Sequence, residues 1–322
     1  MKSVSIIIPA YNESLYIGSC LESIKKLDYP ENLIEVIVVD NGSTDNTRDI
    51  VKSSSYTVLT YPDVNVSELR NIGAARAKGD IFSFLDADCL VPENWLQNIN
   101  KFLDDPKIGI VGCSRFLLPD RCSWVEQTWK SQKKETEGYV KWVGSGNLSI
   151  KKDNFKKIGG FNKSLVTSED WELCFRVKKK LNLNTYSSLD VSVIHCKCRE
   201  TLLDFFKKEL WHGRDVLMPN YYLKLKLFEN KALLLALFYL ICIIGVIASI
   251  LLLIIYGNYI PLVGLILSLF LFSLLLSIKF SYVRKKILGL TLLYIIYGIA
   301  RAFALINVNI VRNLRMQKNS NL

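Results

Sequence analysis

The last third of the sequence contains two long segments that are almost free of charge. No charged residue occurs from Ala232 to Ile278, and from Ile287 to Val311 only Arg301 is charged. A helix crosses a bilayer core with about 20 apolar residues, so the first segment is too long for one span. Near its middle, residues 256–261 read YGNYIP, a turn pattern flanked by interface tyrosines. We therefore predict a transmembrane hairpin over 232–256 and 259–278 and a third hydrophobic segment at about 287–310.

Basic residues predict the orientation of this hairpin. Those that flank it are Lys224, Lys226 and Lys231 on one side and Lys279 and Arg284–Lys286 on the other. Because such flanks favour the cytoplasmic side, we expect an integral protein of the cell membrane with its N-terminal domain in the cytoplasm. The third segment could span, re-enter or lie at the interface. Arg301 is costly in lipid unless paired, and a third span would place Arg312, Arg315 and Lys318 outside.

The chain is basic, with 41 lysines and arginines against 30 acidic residues and a net charge of +11. Such an excess is often a sign of nucleic-acid binding. However, the sequence contains no helix-turn-helix, zinc-finger or RNP-like pattern, and its basic residues gather beside the apolar segments. Attraction to anionic headgroups explains that position. We therefore expect membrane lipids, and no nucleic acid, among the partners.

The first 220 residues alternate between strand patterns and helix patterns. Apolar, β-branched runs predict strands at 4–8, 34–39, 56–60 and 81–85. Helical patterns lie between them at about 14–26, 45–53 and 66–77. This alternation is typical of a Rossmann-like α/β fold with an open, mostly parallel sheet. We predict such a domain over residues 1–220 and an α-helical membrane region over 221–322.

Polar side chains follow the predicted strands at the point where each strand ends. Tyr11 and Glu13 follow the first strand, Asp40 ends the second, and Asp86 and Asp88 follow the fourth. Ligands of open α/β sheets bind outside these carboxyl ends. Two carboxylates two residues apart can share a hard cation such as Mg²⁺ or Mn²⁺, which also binds substrate phosphates. We therefore expect Asp86 and Asp88 to form a metal site.

Several of these side chains could recognise a nucleotide. Tyr11 and Glu13 can approach a base and ribose, and Asp40 can accept a hydrogen bond from a base N–H or, alternatively, cap the next helix. Arg70 would face the nucleotide from a helix, or else be an ordinary surface arginine. The GxGxxG and GxxxxGK[ST] patterns are both absent from the sequence, which counts against dinucleotide and P-loop binding.

The second half of the domain adds candidates for catalysis. Glu169 and Asp170 begin a predicted helix, where one acid could be a general base or both could compensate the helix dipole. His195 ends an apolar strand and is a candidate metal ligand, although a single histidine is more often structural. Arg214 follows an amphipathic stretch and could bind a diphosphate or a lipid headgroup.

These motifs, taken in order, resemble those of the inverting family 2 glycosyltransferases with the GT-A fold. The segments are SIIIPAYNE, VVDNGSTDNT, LRNIGAARAKGD, LDADC, GSGNLSI, KIGGFN, SEDWELCFRV and HGR, and they cover about residues 3–215. The resemblance implies a nucleotide-sugar donor, a divalent cation and a hydroxyl acceptor.

The resemblance also implies a role for each candidate residue. The nucleoside contacts would be Pro9, Tyr11, Glu13 and Asp40. Asp86 and Asp88 would serve the ribose, diphosphate and metal, with His195 as a further ligand. Asp170 of the Glu169–Asp170 pair would be the catalytic base, and Arg214 would hold the diphosphate.

One departure from the family bears on the product. Processive synthases of this family carry QxxRW, whereas the corresponding region here reads ELWHGRD. We therefore expect transfer of one sugar, from a UDP- or GDP-sugar, to a lipid-linked or cell-surface glycan. The alternatives are transfer to a polyprenyl phosphate, in which the phosphate nucleophile needs little help from a base, and a non-catalytic membrane scaffold.

Overall fold

The computed structural model describes residues 1–113, 116–132, 136–214 and 230–319, with side chains up to residue 306. The chain divides into two compact units. We call residues 1–121 with 135–198 the sheet unit, and residues 122–134 with 199–322 the helical unit. The predicted domain boundary at 220 and 221 lies outside the described residues, as do Lys224 and Lys226 and the side chains of Arg312, Arg315 and Lys318. The domain limits therefore stay a prediction.

The described residues of the sheet unit form ten strands. They are β1 Val4–Ala10, β2 Ile34–Asp40, β3 Thr57–Thr60, β4 Ile81–Leu85, β5 Cys89–Leu90, β6 Ile108–Gly112, β7 Gly138–Val140, β8 Asn147–Lys151, β9 Asn184–Ser187 and β10 Ile194–His195. Eight of them form one sheet in the order β3-β2-β1-β4-β8-β6-β9-β7. Strands β1 to β4 are parallel, β8 is antiparallel to β4 and β6, and β7 is antiparallel to β9. The predicted α/β, mostly parallel sheet is confirmed.

The helices occur in both units. Those of the sheet unit are α1 Ile17–Lys25, α2 Thr47–Ser53, α3 Val66–Arg76, α4 Trp95–Asp104, α6 Lys152–Ile158 and α7 Glu169–Leu181. Those of the helical unit are α5 Trp124–Lys130, α8 Leu202–His212, α9 Lys231–Tyr256, α10 Ile260–Phe280 and α11 Ile287–Asn319. Short 3-10 turns occur at Glu31–Leu33, Leu189–Val191 and Arg284–Lys286.

Every residue of β1 except Ser5 is apolar, because both faces of the strand are covered. Ile6 and Ile8 pack into a core layer with residues of α1 and α4. Ile7, on the opposite face, packs with residues of α3, α6 and α7. The sheet therefore lies between two layers of helices. The polar side chains of the predicted site follow the ends of the strands, outside these layers.

Two strand arrangements position the candidate site. The carboxyl ends of β1, β2 and β4 and the amino end of β8 lie at the same edge of the sheet, because β8 runs antiparallel. In addition, β5 and β10 form a separate antiparallel pair in which His195 lies opposite Cys89. This pairing brings a strand from the end of the unit beside the segment that carries Asp86 and Asp88.

In the helical unit, α9, α10 and residues 284–306 are three helical stretches long and apolar enough to cross a membrane. They agree with the three predicted hydrophobic segments. The predicted turn lies between α9 and α10, where Gly257 adopts a φ of +65° and Pro261 lies in the first turn of α10. Glycine adopts such a left-handed conformation at little cost.

The charge in the third apolar segment is paired within the helical unit. Arg301 Nη2 donates to Glu209 Oε2 at 2.8 Å, and the other oxygen of Glu209 accepts from Arg199 Nη1 at 3.0 Å. Arg199 also binds Glu126, with Nη2 donating to Oε1 at 2.9 Å. Burial raises the pKa of Glu126, but these hydrogen bonds outweigh it and lower the pKa to about 2. Pairing of this kind is the condition under which an arginine is tolerated in an apolar segment.

Candidate active site

Asp86 follows β4 and is held on two sides. Its Oδ1 accepts a hydrogen bond from Arg70 Nη2 at 2.8 Å. Its Oδ2 faces Gly146, where a Cβ atom would lie 2.2 Å from that oxygen. A side chain at position 146 would therefore collide with the carboxylate, so the glycine before β8 makes room for Asp86.

Asp88 is buried and lies beside His195. The distance from His195 Nε2 to Asp88 Oδ2 is 3.4 Å. The pairing of β5 with β10 produces this contact, and Cys196 N–H donates to the Asp88 carbonyl at 2.8 Å. The histidine ring also lies 5.5 Å from the ring of Phe116. The structure thus brings together two of the three residues predicted to bind a metal.

The chemistry of these donors fits a divalent cation that is shared with a substrate. Among the residues that the structure describes, no group of three or more His, Cys, Asp or Glu side chains is arranged as a complete metal site. Mg²⁺ sites often contain only one or two carboxylates, and phosphates and water supply the other ligands. Asp88 supplies one such carboxylate and His195 lies beside it, whereas one oxygen of Asp86 is occupied by Arg70.

Arg70 joins the acids at the end of β4 to those at the start of α7. Its side chain is 3% exposed, and Nη1 donates to Glu169 Oε1 at 2.9 Å. Glu169 Oε1 also accepts from Ser145 Oγ at 2.7 Å. Arg70 Nε is buried and has no hydrogen-bond partner within the described chain. Arg70 is therefore not a surface residue, and it contacts two predicted site acids.

Glu169 and Asp170 have different surroundings although they are neighbours. Glu169 is tied to Arg70 and Ser145, whereas Asp170 Oδ1 accepts from Trp171 N–H at 2.7 Å. Burial and the charge of Glu169 raise the pKa of Asp170 to about 7. Ser168, just before the helix, has a φ of +63°, an uncommon conformation that is often found at functional sites. Of the two acids, Asp170 has the properties of a general base.

The predicted nucleoside contacts lie at the ends of β1 and β2. Pro9 is buried within β1, and Tyr11 is exposed just beyond it. Glu13 Oε1 accepts from Lys197 Nζ at 2.7 Å. Burial of the Glu13 carboxyl raises its pKa despite this contact with Lys197.

Asp40 is fully buried and organises the loop that follows β2. Its Oδ2 accepts from the backbone N–H groups of Gly42 and Ser43 at 3.0 and 2.9 Å, and its Oδ1 accepts from the Ser43 hydroxyl. Asp40 does not cap α2, because Asn46 occupies the N-cap position of that helix. Recognition of a base by Asp40 stays a prediction.

Arg214 lies in the helical unit, where it is exposed just beyond the end of α8. Its predicted role at the diphosphate stays a prediction. Sequence analysis did not identify Ser145, Gly146 and Lys197, which contact Glu169, Asp86 and Glu13. The GSGN segment was a signal for Ser145 and Gly146, since glycine in a strand pattern often marks a place where another group approaches the backbone closely. No local pattern distinguishes Lys197 from other lysines.

The chain is similar in sequence to known glycosyltransferases. The profile described as Glycosyl transferase family 2 matches residues 5–159. Glycosyltransferase AglE of Haloferax volcanii is 30% identical over 178 residues, which are 52% of this chain and 58% of AglE. The beta-monoglucosyldiacylglycerol synthase of Synechocystis sp. is 25% identical over 196 residues, 54% of this chain and 40% of that protein. The chain therefore spans only about half the length of these relatives.

A solved structure shares the fold. It is the mannosyltransferase PcManGT from Pyrobaculum calidifontis in complex with GDP-Man and Mn²⁺. The TM-score is 0.63 at 18% identity, over 94% of this chain and 87% of that one. The matched profile, the mixed sheet and the acids at its strand ends agree: residues 5–159 resemble the family described as Glycosyl transferase family 2, and the chain shares the fold of this mannosyltransferase.

Proposed function

We propose that this chain is a metal-dependent, membrane-bound glycosyltransferase. It moves a sugar, with inversion, from a UDP- or GDP-sugar to a hydroxyl of a lipid-linked or cell-surface glycan. The observation that carries the proposal is the buried bridge of Arg70, which contacts Asp86 at 2.8 Å and Glu169 at 2.9 Å. This bridge places the acids suited to donor binding next to those suited to act as a base. A direct transfer requires the donor and the acceptor to lie side by side in this way.

The donor would bind at the edge where β1, β2 and β4 end. Asp88 and His195 would hold the metal ion, and Tyr11, Glu13 and Asp40 would meet the nucleoside. A bound Mg²⁺ or Mn²⁺ supplies positive charge that stabilises a departing diphosphate. The complex of PcManGT with GDP-Man and Mn²⁺ supports this assignment. Arg214 would add a guanidinium that pairs with phosphate oxygens.

Asp170 would remove the proton from the acceptor. As the acceptor hydroxyl oxygen forms its bond to the anomeric carbon, the proton passes to the Asp170 carboxylate. The bond from the anomeric carbon to the diphosphate breaks in the same step, and the electron pair leaves with the nucleoside diphosphate. A single displacement inverts the anomeric centre. A base with a pKa near the working pH is well matched to this role.

Three apolar helices favour an acceptor at the membrane. The name of the Synechocystis relative, a diacylglycerol glycolipid synthase, supports the same choice. Lys279 and Arg284–Lys286 follow α10 and favour a cytoplasmic position for that end. The catalytic domain would then use nucleotide sugars on the cytoplasmic side.

The proposal is tested with full-length protein in lipid nanodiscs, supplied with Mn²⁺, a membrane lipid extract and a panel of UDP- and GDP-sugars. We expect one donor to release nucleoside diphosphate above the enzyme-free blank. Asp88→Ala should remove that release, and Asp153→Ala, at an exposed acid in α6, should retain it. No release with any donor would overturn the proposed activity, and an active Asp88→Ala variant would overturn the metal assignment.

A further inference from the structure

Lys197 is a cation beside the donor-side acids that the proposed steps do not use. It follows β10, whose His195 lies opposite Cys89 of β5. The preceding residue, Cys196, donates its N–H to the carbonyl of Asp88 at 2.8 Å. The backbone next to Lys197 is therefore fixed to the segment that carries Asp88.

The side chain of Lys197 reaches the loop that follows β1. Its ammonium donates to Glu13 Oε1 at 2.7 Å and lies 5.9 Å from the ring centroid of Tyr16. The other oxygen of Glu13, Oε2, is buried and accepts no hydrogen bond from any residue that the structure describes. Only half of this carboxylate is therefore satisfied, and an incoming donor group could bind the rest.

The charges around Lys197 favour a change of partner. Glu13 is close enough to Asp86 and Asp88 for their charges to act on it, and Asp88 also acts on Lys197. The Lys197 side chain is 47% exposed, and ion pairs with such exposure are weak. A lysine combines a compact charge with a flexible stem and is a common ligand of phosphate groups. The contact with Glu13 can therefore be exchanged for one with a more highly charged phosphate.

We propose that Lys197 binds the diphosphate of the donor, leaving Glu13 as the donor enters, and that the freed Glu13 carboxylate accepts hydrogen bonds from the nucleoside. This inference rests on the proposed function, because it requires a nucleotide-sugar site at this edge of the sheet. It assigns phosphate binding to a residue of the sheet unit that no sequence motif marks.

The test is calorimetric titration of the full-length protein with UDP and GDP in the presence of Mn²⁺, and with uridine and guanosine. Lys197→Met would remove a hydrogen bond between charged groups. We therefore expect the affinity for the diphosphates to fall about ten- to a hundredfold. Nucleoside affinity should stay within about twofold, since the phosphates are absent. Lys2→Met is the control. Lys2 precedes β1 and forms an ion pair with Asp104, and this variant should bind the diphosphates like the wild type.

A double variant separates phosphate binding from neutralisation of Glu13. If Lys197 only neutralised Glu13, Glu13→Gln/Lys197→Met would bind diphosphate as tightly as Glu13→Gln, and the inference would be wrong. We expect the double variant to remain about tenfold weaker than Glu13→Gln. The double variant removes both charges of the Glu13–Lys197 pair, so neither is left without its partner. The test therefore remains valid if Lys197→Met folds poorly. Wild-type protein that binds neither diphosphate contradicts the proposed function, whereas equal binding by wild type and Lys197→Met overturns the Lys197 assignment alone.

Discussion

Gly146 lies directly against the carboxylate of Asp86. A Cβ atom on Gly146 would be 2.2 Å from Asp86 Oδ2 and 2.6 Å from the carboxyl carbon. The two residues are also joined through the backbone, since Asp86 N–H donates to the Gly146 carbonyl at 3.1 Å. Arg70 holds the other carboxylate oxygen at 2.8 Å, so Asp86 cannot move away without losing an ion pair.

Gly146→Ala should therefore strongly reduce the proposed transferase activity while leaving the fold intact. The added methyl group displaces Asp86 and disturbs Arg70, and a misplacement of about 1 Å in an active site can cost about a hundredfold in rate. We expect a loss of that order in kcat/KM for the best donor, measured by nucleoside diphosphate release. Circular dichroism should show unchanged secondary structure.

Gly144→Ala is the matched control in the same loop. A Cβ atom at position 144 would be 3.4 Å from the Phe116 ring and 3.9 Å from Asp170 Oδ2, which are tolerable contacts. We expect its activity to stay within about threefold of the wild type, a difference under about 1 kcal/mol. Equal losses in the two variants would show that the loop tolerates no methyl group and would contradict the specific role of Gly146.

The positions of the first four strands along the chain could be predicted because each is a short apolar run with turn residues after it. β1 and β4 are buried on both faces, so only Ser5 and Ser83 interrupt their apolar residues and the strands are easily recognised. Acids that follow such strands must meet at one edge, which is why the positions of Asp86 and Asp88 could be anticipated. Periodicity does not predict the order of the strands in the sheet, and the antiparallel insertion of β8 was not anticipated.

The partners of the site residues could not be predicted because they are distant in the sequence. Arg70 is 16 residues from Asp86 and 99 from Glu169, and Lys197 is 184 residues from Glu13. No local pattern encodes such contacts, which depend on how the helices and strands pack. Asp40 illustrates a second limit, since its carboxylate binds the next turn instead of capping α2.

The rate of transfer should depend on pH through Asp170. Burial and the neighbouring Glu169 raise the pKa of Asp170 to about 7, and a general base is active only when it is ionised. We expect kcat/KM to fall as the pH decreases below about 7 and to level off above it. Asp170→Asn should lower the rate about 10²- to 10⁴-fold and remove this limb of the profile. A nearly active Asp170→Asn would contradict a hydroxyl acceptor and favour a phosphate acceptor.

Asp170→Asn should also stabilise the protein, and more at alkaline pH. The folded state raises the pKa of Asp170, so it holds a proton that the unfolded chain releases. The stability contributed by this group is present at low pH and is lost as the pH rises towards about 7, where the carboxylate ionises in its buried position. We expect the gain in Tm of the variant to be larger at about pH 8 than at about pH 5, measured by fluorescence in detergent. A gain that is equal at both values would contradict the raised pKa.

Arg70→Lys should damage both stability and activity although the charge is retained. A lysine cannot donate to Asp86 and Glu169 in the fixed fork of a guanidinium. Of the two acids only Glu169 is buried, and loss of its guanidinium partner would cost about 3 kcal/mol in the free energy of unfolding. We expect a lower Tm and a rise in KM for the donor. Arg76→Lys, at an exposed position on the same helix α3, is the control and should change neither.

Because Arg301 is paired with Glu209, we expect that replacing this arginine with an apolar residue does not stabilise the protein. Arg301→Met would suit lipid better, but it removes the 2.8 Å contact and leaves the buried Glu209 with Arg199 alone. Because breaking a buried pair costs about 3–5 kcal/mol, we expect a clear fall in Tm in nanodiscs. Glu209→Gln/Arg301→Met should recover part of it, since both charges are removed. Arg284→Met, at an exposed position just before α11, is the control and should leave Tm unchanged. If Arg301→Met had a Tm equal to or higher than that of the wild type, lipid and not Glu209 would accommodate Arg301.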